Sequence, residues 1–332
     1  MTLSEVAQRA ARVVRKAEPY GGLARPVQAA MTWVEQDKWE DLRGPWGIER
    51  PSPKLARPTA ESPQWLHDLH CNGWALVKGV IPKDKALSYA DRAEDWLEGF
   101  NLGYKRDDPA TWKSKNLPRH RHGGLFDHFS FAPAQFVWDC KSEPTVREIF
   151  ATIWGTNKLT VSFDGGTLAV PTPEEPDHGK APWPHSDQSA YRPWPHCIQG
   201  LLNLTQTEGG WIKKDLFNWT DEQLQWFRDR GCEMLKPSTD PGDFILWDSR
   251  AVHYGAAPLA ANKRMAISVR LMTEEQRLRK VEAFKQGYMT SHDPTDFVLK
   301  EEQMADWDIR HPYGPSTINK ETQQAIGLIP YD

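Results

Sequence analysis

The sequence predicts a mainly β fold with flanking helices, of the α+β class, in a chain of 332 residues. The second half consists largely of short segments rich in Val, Ile, Leu and Thr, separated by Gly and Pro, which are typical of strands joined by turns. Helical patterns that open with capping residues accompany these segments. Sixteen tryptophans indicate a packed core rather than a disordered chain. These observations favour a β-sandwich or barrel with helices on one face.

Two parts of the chain differ in pattern. Residues 1–60 are predicted to form an N-terminal helical arm, with a helix from Ser4 to Lys16 and then a proline-rich stretch that ends in RPSPKLARPTAESP. Residues 61–332 are predicted to form a single domain, because they contain no internal repeat or low-complexity tract and are long enough to bury a large core.

Strands are predicted at five places in the domain. The first is GWALVKGVI, residues 73–81. Four segments of the second half follow, separated by Gly and Pro turns: KLTVSFDGGTLAV, CIQGLLNLT, CEMLKPSTDPGDFILWD and RMAISVRLM.

Helices are predicted from their start and stop signals. PKDKALSYADRAEDWLEGF begins with a proline and ends near Gly99. WTDEQLQWFRDRG carries a capping box, since Thr220 lies three residues before Gln223, and Gly231 stands at its end. TEEQRLRKVEAFKQG, residues 273–287, repeats the capping pattern.

The composition argues against several classes of function. The net charge of −4 and the pI near 6.3 show no basic excess, so we expect no nucleic-acid partner. The four cysteines are far apart, and free thiols in a reducing compartment fit them better than a disulfide framework or a zinc ribbon. Because no apolar run approaches ~18 residues and no apolar signal segment is present, we expect no membrane span and a cytoplasmic location. A homo-oligomer is compatible with the sequence, but nothing in it indicates one.

The segment WPHSDQSAYR contains candidate metal ligands. His185 and Asp187 are two positions apart, so on a strand both side chains point to the same face. His253, in GDFILWDSRAVHYGAAP, is a candidate third ligand. Two histidines and one carboxylate on one face of an octahedron leave positions open and are typical of non-haem Fe(II) oxygenases. An H-x-D pair also occurs by accident at strand ends, so a merely polar strand end is the alternative.

Arg264, eleven residues after His253, strengthens this interpretation. An always-charged guanidinium on a buried strand needs a carboxylate partner. The far carboxylate of 2-oxoglutarate would be such a partner, held by a bidentate pair of hydrogen bonds. A protein acid such as Asp248 is the alternative.

Four motifs occur together in a fixed order: WPHSDQSAYR, CIQGLLNLTQTEGG, PGDFILWDSRAVHYGAAP and NKRMAISV. In this order, and with the arginine eleven residues after the second histidine, they resemble the phytanoyl-CoA dioxygenase-like family of Fe(II)/2-oxoglutarate-dependent oxygenases, in particular its fungal-type members. The likeness covers roughly residues 65–275. It implies a double-stranded β-helix core, also called a jelly roll or cupin-like fold.

The resemblance also implies an enzyme, a dioxygenase that uses 2-oxoglutarate and O2 as cosubstrates. His185, Asp187 and His253 would bind Fe(II), and Arg264 would bind 2-oxoglutarate. The reaction would oxidise an unactivated C–H bond of a small molecule, such as an amino acid or a secondary-metabolite intermediate, with release of succinate and CO2. Hydroxylation, desaturation and ring closure stay open as outcomes. One departure is EGGWIKKDLFNW, which leads from Gly210 almost directly to a helix where the family usually has a lid loop.

Further residues are candidates for cosubstrate binding or for orienting the metal ligands. Gln199 and Ser268 lie on predicted strands and could contact 2-oxoglutarate, although an interior amide and a core hydroxyl are the alternatives. Asp248 and Arg250 flank His253 and could orient it, unless they form only a surface ion pair.

The stretch LPRHRHGGLFDHF supplies candidates on the substrate side. Arg121 or His122 could face a substrate carboxylate or the cosubstrate at the pocket mouth, and Gly123 and Gly124 would permit close backbone approach. A solvated basic loop is the alternative interpretation.

Two other functions compete with the oxygenase. A cupin-like isomerase or hydrolase would use the metal without 2-oxoglutarate, but it would not need Arg264. A non-catalytic partner subunit would not need the three ligands, and release from selection would be expected to erode at least one of them.

Overall fold

The computed structural model of the chain describes residues 55–120, 124–127, 129, 131–132, 134–162, 164–171, 184–187, 197–208, 217–233, 235, 237–254, 263–274, 319–326 and 329–331. Most of the predicted arm, including its helix, lies outside these residues, as do Arg121, His122, the segment after Gly210 and most of the helix predicted at 273–287.

Six α-helices form in the described part of the chain: α1 (Gln64–Asn72), α2 (Lys83–Glu98), α3 (Gln135–Lys141), α4 (Pro144–Trp154), α5 (Asp221–Arg228) and α6 (Lys320–Ile326). Both α1 and α4 stop at a glycine in the left-handed region, Gly73 at φ 75° and Gly155 at φ 65°. The predicted capping box of α5 is confirmed at Thr220 and Gln223, although the helix ends at Arg228, before the predicted glycine. The start and stop signals predicted none of the helices α1, α3, α4 and α6.

Strands form in every segment where the sequence predicts one. They are β1 (Trp74–Val77), β2 (Leu125–Phe126), β3 (Leu159–Val161), β4 (Gly166–Ala169), β5 (His185–Ser186), β6 (Ile198–Asn203), β7 (Thr207–Glu208), β8 (Phe217–Asn218), β9 (Ser238–Thr239), β10 (Phe244–Asp248), β11 (Arg264–Val269) and β12 (Leu271–Thr273). The strands are shorter than the segments, because turns divide several segments into two strands.

Six of these strands form one antiparallel sheet in the order β1-β10-β6-β11-β4-β2. Apolar side chains on one face of the sheet pack against the helices. Phe244 of β10 contacts Phe150 of α4 with ring centroids 6.1 Å apart, and both rings are fully buried. Gly200 of β6 makes room for this packing, since a Cβ there would lie 2.2 Å from the Phe244 ring. The helices therefore cover the sheet from one side.

The opposite face of this sheet, which we call the site face, carries the alternate residues of the four central strands. They are Thr167 and Ala169 in β4, Gln199, Leu201 and Asn203 in β6, Ile245 and Trp247 in β10, and Arg264, Ala266 and Ser268 in β11. A small apolar cluster on this face is separate from the main core and includes Leu201, Trp247 and Ala266. Polar groups and one arginine lie among these apolar residues.

Three two-stranded ladders complete the described strands: β3 with β12, β5 with β8, and β7 with β9. An isolated antiparallel bridge joins His185 to His253. This mixture of helices and antiparallel sheet confirms the predicted α+β class. In the described part of the chain, no helix combines the length and the apolar character that crossing a membrane requires.

Gly124 permits the close backbone approach that the sequence predicts. It has φ 75°, and a Cβ there would lie 2.6 Å from both the carbonyl oxygen of Leu168 and the Cα of Ala169 in β4. We expect Gly124→Ala to lower the free energy of unfolding by about 1–3 kcal/mol, from backbone strain together with this clash. Urea unfolding followed by circular dichroism measures the change.

Gly155→Ala is the matched control, because Gly155 has φ 65° but, among the residues described, nothing lies within 4 Å of the position that a Cβ would take there. It bears the strain of a positive φ without the clash. An equal loss of stability in the two variants would contradict the role of close packing at Gly124.

Candidate metal centre

The backbone brings two of the candidate ligands together. His185 in β5 and His253 after β10 exchange both of their backbone hydrogen bonds, each with an N–O distance of 2.8 Å. Their rings consequently lie side by side, with centroids 4.4 Å apart. The ladder with β8 holds the other edge of β5, since His185 pairs with Asn218.

The side chains of His185, Asp187 and His253 form a compact cluster. One ligand atom from each lies within 4.8 Å of the other two. The carboxylate Oδ1 of Asp187 is 3.6 Å from Nε2 of His185, and its Oδ2 is 3.1 Å from Nε2 of His253. The side chain of His185 is fully buried, that of Asp187 is 4% exposed and that of His253 is 15% exposed. Such a group can hold a metal ion that solvent reaches from one side.

The two oxygens of Asp187 have different surroundings. Oδ2 accepts a hydrogen bond of 2.5 Å from the side-chain amide of Gln199 on the site face. Oδ1 is buried and has no hydrogen-bond partner within the described ranges. Burial alone would raise the pKa of Asp187, but the hydrogen bond from His253, the charges of both histidines and the Gln199 amide together lower it. A buried, ionised oxygen without a hydrogen-bond donor fits a bound cation.

His253 is oriented by the backbone that precedes it. Its ring atom Nδ1 lies 3.0 Å from the carbonyl oxygen of Ala251. An Nδ1–H that donates to this carbonyl would leave the lone pair of Nε2 for a metal ion, in place of the Nε2–H that donates to Asp187 when no metal is bound.

Asp248 and Arg250 form a bidentate ion pair in the turn before His253. The guanidinium donates to the carboxylate through Nε at 3.0 Å and Nη2 at 2.8 Å, and the backbone N–H of Arg250 donates to the same carboxylate at 2.8 Å. The carboxylate of Asp248 is 1% exposed, so the pair is not confined to the surface. The pair stabilises the turn. Asp248, which the sequence analysis named as an alternative partner for Arg264, is paired with Arg250 instead.

Ser186, between the first two ligands, ties three segments together. Its hydroxyl donates to the carbonyl oxygen of Arg250 at 3.0 Å and accepts a hydrogen bond of 3.0 Å from the indole N–H of Trp219. The sequence analysis missed Trp219, because its contact depends on the pairing of β5 with β8 and leaves no local pattern.

Arg264 lies at the start of β11 on the site face and is 2% exposed. It is paired in register with Ala169 of β4. Lys263 beside it is anchored to α2, because its ammonium donates to Glu94 at 2.8 Å and to the carbonyl oxygen of Arg106 at 2.8 Å. The guanidinium is therefore fixed on the same face of the sheet as Gln199, which contacts Asp187.

Three buried neutral atoms on the site face have no hydrogen-bond partner among the residues described: the Thr167 hydroxyl oxygen, the Asn203 amide oxygen and the Trp247 indole nitrogen. Ser268, also a candidate for cosubstrate binding, lies on β11, is partly exposed and shares the face of Arg264. The side-chain amide N–H of Gln199 donates a hydrogen bond to Asp187, a candidate metal ligand. The sequence analysis had suggested a contact with 2-oxoglutarate for this residue.

The structure also shows a charged cluster that the sequence analysis missed. Arg270 follows β11 and pairs with Asp164, whose charge raises the pKa of Arg270 above its usual value. Lys141 of α3 lies behind them, 2% exposed, and its ammonium donates to the carbonyl oxygens of Ser162 at 3.0 Å and Asp164 at 3.1 Å. The sequence could have indicated Arg270, because it lies six residues after Arg264, and residues an even number apart share one face of a regular strand.

Known proteins resemble the chain in sequence and in fold, although no profile of a known protein family matches it. The Ava biosynthesis cluster protein O of Aspergillus versicolor is 28% identical over 272 residues, which cover 71% of this chain and 87% of that protein. The solved structure of GIG2 (DUF1479) from Candida albicans has a TM-score of 0.50 at 10% identity, over 99% of this chain and 84% of that chain. This likeness concerns the fold alone.

A further solved structure is that of the epimerase SnoN in complex with Fe3+, alpha ketoglutarate and nogalamycin RO. Its TM-score is 0.43 at 12% identity, over 63% of this chain and 82% of that chain.

Burial lowers the pKa of Lys141 from 10.5 to about 8, against the opposing charge of Asp164. Between these two pH values the unfolded chain holds a proton that the folded protein has lost, so the contribution of Lys141 to stability rises with pH. We expect the free energy of unfolding of the wild type minus that of Lys141→Met to increase by up to about 3 kcal/mol from pH 7.5 to 10.5. Urea unfolding at each pH measures it, and a constant or falling difference would contradict the burial effect.

Proposed function

We propose that this protein is an Fe(II)/2-oxoglutarate-dependent dioxygenase on a double-stranded β-helix, which oxidises an unactivated C–H bond of a small organic molecule. The observation that carries the proposal is the buried cluster of His185, Asp187 and His253, joined through Gln199 to the sheet face that holds Arg264.

The donor set of the cluster suits Fe(II). Two imidazole nitrogens and one carboxylate form the facial triad of non-haem iron, which leaves coordination positions open. The buried Oδ1 of Asp187, without a hydrogen-bond donor in the described residues, supports a cation at this position. His185, Asp187 and His253 would hold the ion.

Arg264 suits the far carboxylate of 2-oxoglutarate. A guanidinium presents two parallel N–H donors that match a carboxylate, and a buried one forms such a pair more strongly than an exposed one. Asp248, in the turn before His253, is paired with Arg250. The Thr167 hydroxyl lies on the same face, where Ala266 separates Arg264 from the metal end of β11.

Bound iron and 2-oxoglutarate would supply the activation of O2 and the oxidising power, with release of succinate and CO2. The chain supplies orientation. Gln199 holds one oxygen of Asp187, the carbonyl of Ala251 sets the ring of His253, and Arg264 fixes the far end of the cosubstrate. The apolar residues of the site face, among them Leu201 and Trp247, exclude water from the reacting atoms.

The substrate class is an amino acid or a secondary-metabolite intermediate. The relation to a biosynthesis cluster protein of Aspergillus versicolor supports a small molecule over a macromolecule. The net charge of −4 supports the absence of a nucleic-acid partner. We further propose a cytoplasmic location, because the sequence carries four widely spaced cysteines, and all four are free thiols in the structure.

An anaerobic titration tests the proposal. Fe(II) and then 2-oxoglutarate are added to the metal-free protein while the visible charge-transfer absorption of the chelated complex is recorded. We expect the band in the wild type and no band in His253→Ala. Arg264→Ala should need about 10- to 100-fold more 2-oxoglutarate, since a hydrogen bond between charged groups contributes about 1.5–3 kcal/mol.

Arg92→Ala is the matched control, because Arg92 forms a single ion pair with Asp139 on the helical side of the sheet, at 2.7 Å. It should titrate like the wild type. Tight metal binding without a band would favour a cupin-like isomerase or hydrolase. Failure of the wild type to bind metal would favour a non-catalytic partner subunit.

A further inference from the structure

A second arginine, Arg270, follows β11 at the end opposite Arg264, between β11 and β12. The last register pair between β11 and β6 is Val269 with Gly200, and the Nη1 of Arg270 lies 3.8 Å from the sulfur of Cys197, just before β6. The charge of Asp187 acts on Arg270 and contributes to raising its pKa. Arg270 therefore lies near the metal end of β11 and Arg264 at the other end.

The guanidinium of Arg270 has one edge engaged and one atom without a partner. Its Nη2 donates to Asp164 Oδ1 at 2.9 Å, and its Nη1 lies 3.8 Å from the sulfur of Cys197. Its Nε is buried and has no hydrogen-bond partner in the part of the chain that the structure describes. The side chains of Arg270 and Asp164 are 29% and 24% exposed, so the pair can be reached from solvent.

The backbone around this pair is firmly held. The carbonyl oxygen of Arg270 accepts hydrogen bonds from the N–H of Ser162 at 2.9 Å and from its hydroxyl at 3.1 Å. Lys141 binds the carbonyl oxygens of Ser162 and Asp164 from the buried side. These hydrogen bonds hold the backbone of Arg270 and of Asp164, from which the ion pair extends.

The charged residues near the metal end are of both signs. Asp164 acts on Arg270 and on Lys141, and Asp127 lies beside Gly165, the residue after Asp164. The chelating carboxylate of 2-oxoglutarate would offset the charge that remains on the metal. Its far carboxylate would be offset by Arg264, at the other end of the strand.

We propose that Arg270 binds a carboxylate of the organic substrate, so that the enzyme acts on a substrate that carries this group close to the C–H bond to be oxidised. The inference rests on the proposed function. Arg270 would be shared between Asp164, which orients it, and the incoming carboxylate, which takes the Nε side of the guanidinium. Asp164 then competes with the substrate for the same cation and lowers its affinity.

Acetate is the probe for this site, and saturation-transfer NMR of its methyl protons detects contact with the protein whether or not a metal is bound. Relaxation of the same protons in the protein loaded with Co(II) and saturated with 2-oxoglutarate reports proximity to the metal centre. We expect saturable contact and enhanced relaxation in the wild type. The dissociation constant for acetate should rise about tenfold or more in Arg270→Met and fall about threefold in Asp164→Asn.

Arg106→Met is the matched control, because Arg106 is also paired with acids and its side chain is 24% exposed, but it lies on the helical side. It should bind acetate like the wild type. The affinity for 2-oxoglutarate should stay unchanged in Arg270→Met, whereas a loss confined to 2-oxoglutarate would assign Arg270 to the cosubstrate and overturn the inference. If Arg270→Met does not fold, the gain expected in Asp164→Asn decides.

The two proposals fail in different ways. In one outcome, the protein binds neither Co(II) nor 2-oxoglutarate, but acetate still contacts it in a way that depends on Arg270. The anion site would then stand, and the proposed oxygenase function would be wrong. In the other outcome, Co(II) and 2-oxoglutarate bind normally, but acetate contact is absent or independent of Arg270. The proposed oxygenase function would then stand, and the inference about Arg270 would be overturned.

Discussion

The reciprocal backbone hydrogen bonds between His185 and His253 are the constraint on which the site depends. Two short segments, far apart in the chain, meet through this one antiparallel bridge. Because β5 is only two residues long, it cannot hold its position by its own ladder, and the pairing with β8 and the Ser186 hydroxyl reinforce it. The bridge and these contacts hold the three candidate ligands close together.

The six-stranded sheet separates structural from chemical roles by alternation along its strands. Residues that face the helices are apolar and close-packed, as Phe244 against Phe150 shows. Residues of the site face combine apolar groups with Arg264, Gln199 and other polar side chains. The alternation therefore places the packing residues and the candidate site residues on opposite faces of one sheet.

Two lysines tie the helices to the strands that carry the site. Lys263 fixes the start of β11 to Glu94 of α2, and Lys141 of α3 holds the turn that carries Asp164. These contacts position Arg264 and Arg270 at the two ends of one strand. The two arginines therefore lie near opposite ends of the strand, where the proposals place the two carboxylates.

The sequence by itself determined the features that depend on neighbouring residues. The spacing of His185 and Asp187 placed them on one face, and the capping box set the start of α5. Helix α4 carried comparable signals, a proline in its first turn and Gly155 at its end, whereas α3 has no side-chain cap. Only the tertiary structure decided that Gln199 bonds Asp187, that Asp248 pairs with Arg250, and that Arg270 lies beside the metal end. These contacts join strands distant in sequence, and their register is set by the packing of the whole sheet, which no local pattern encodes.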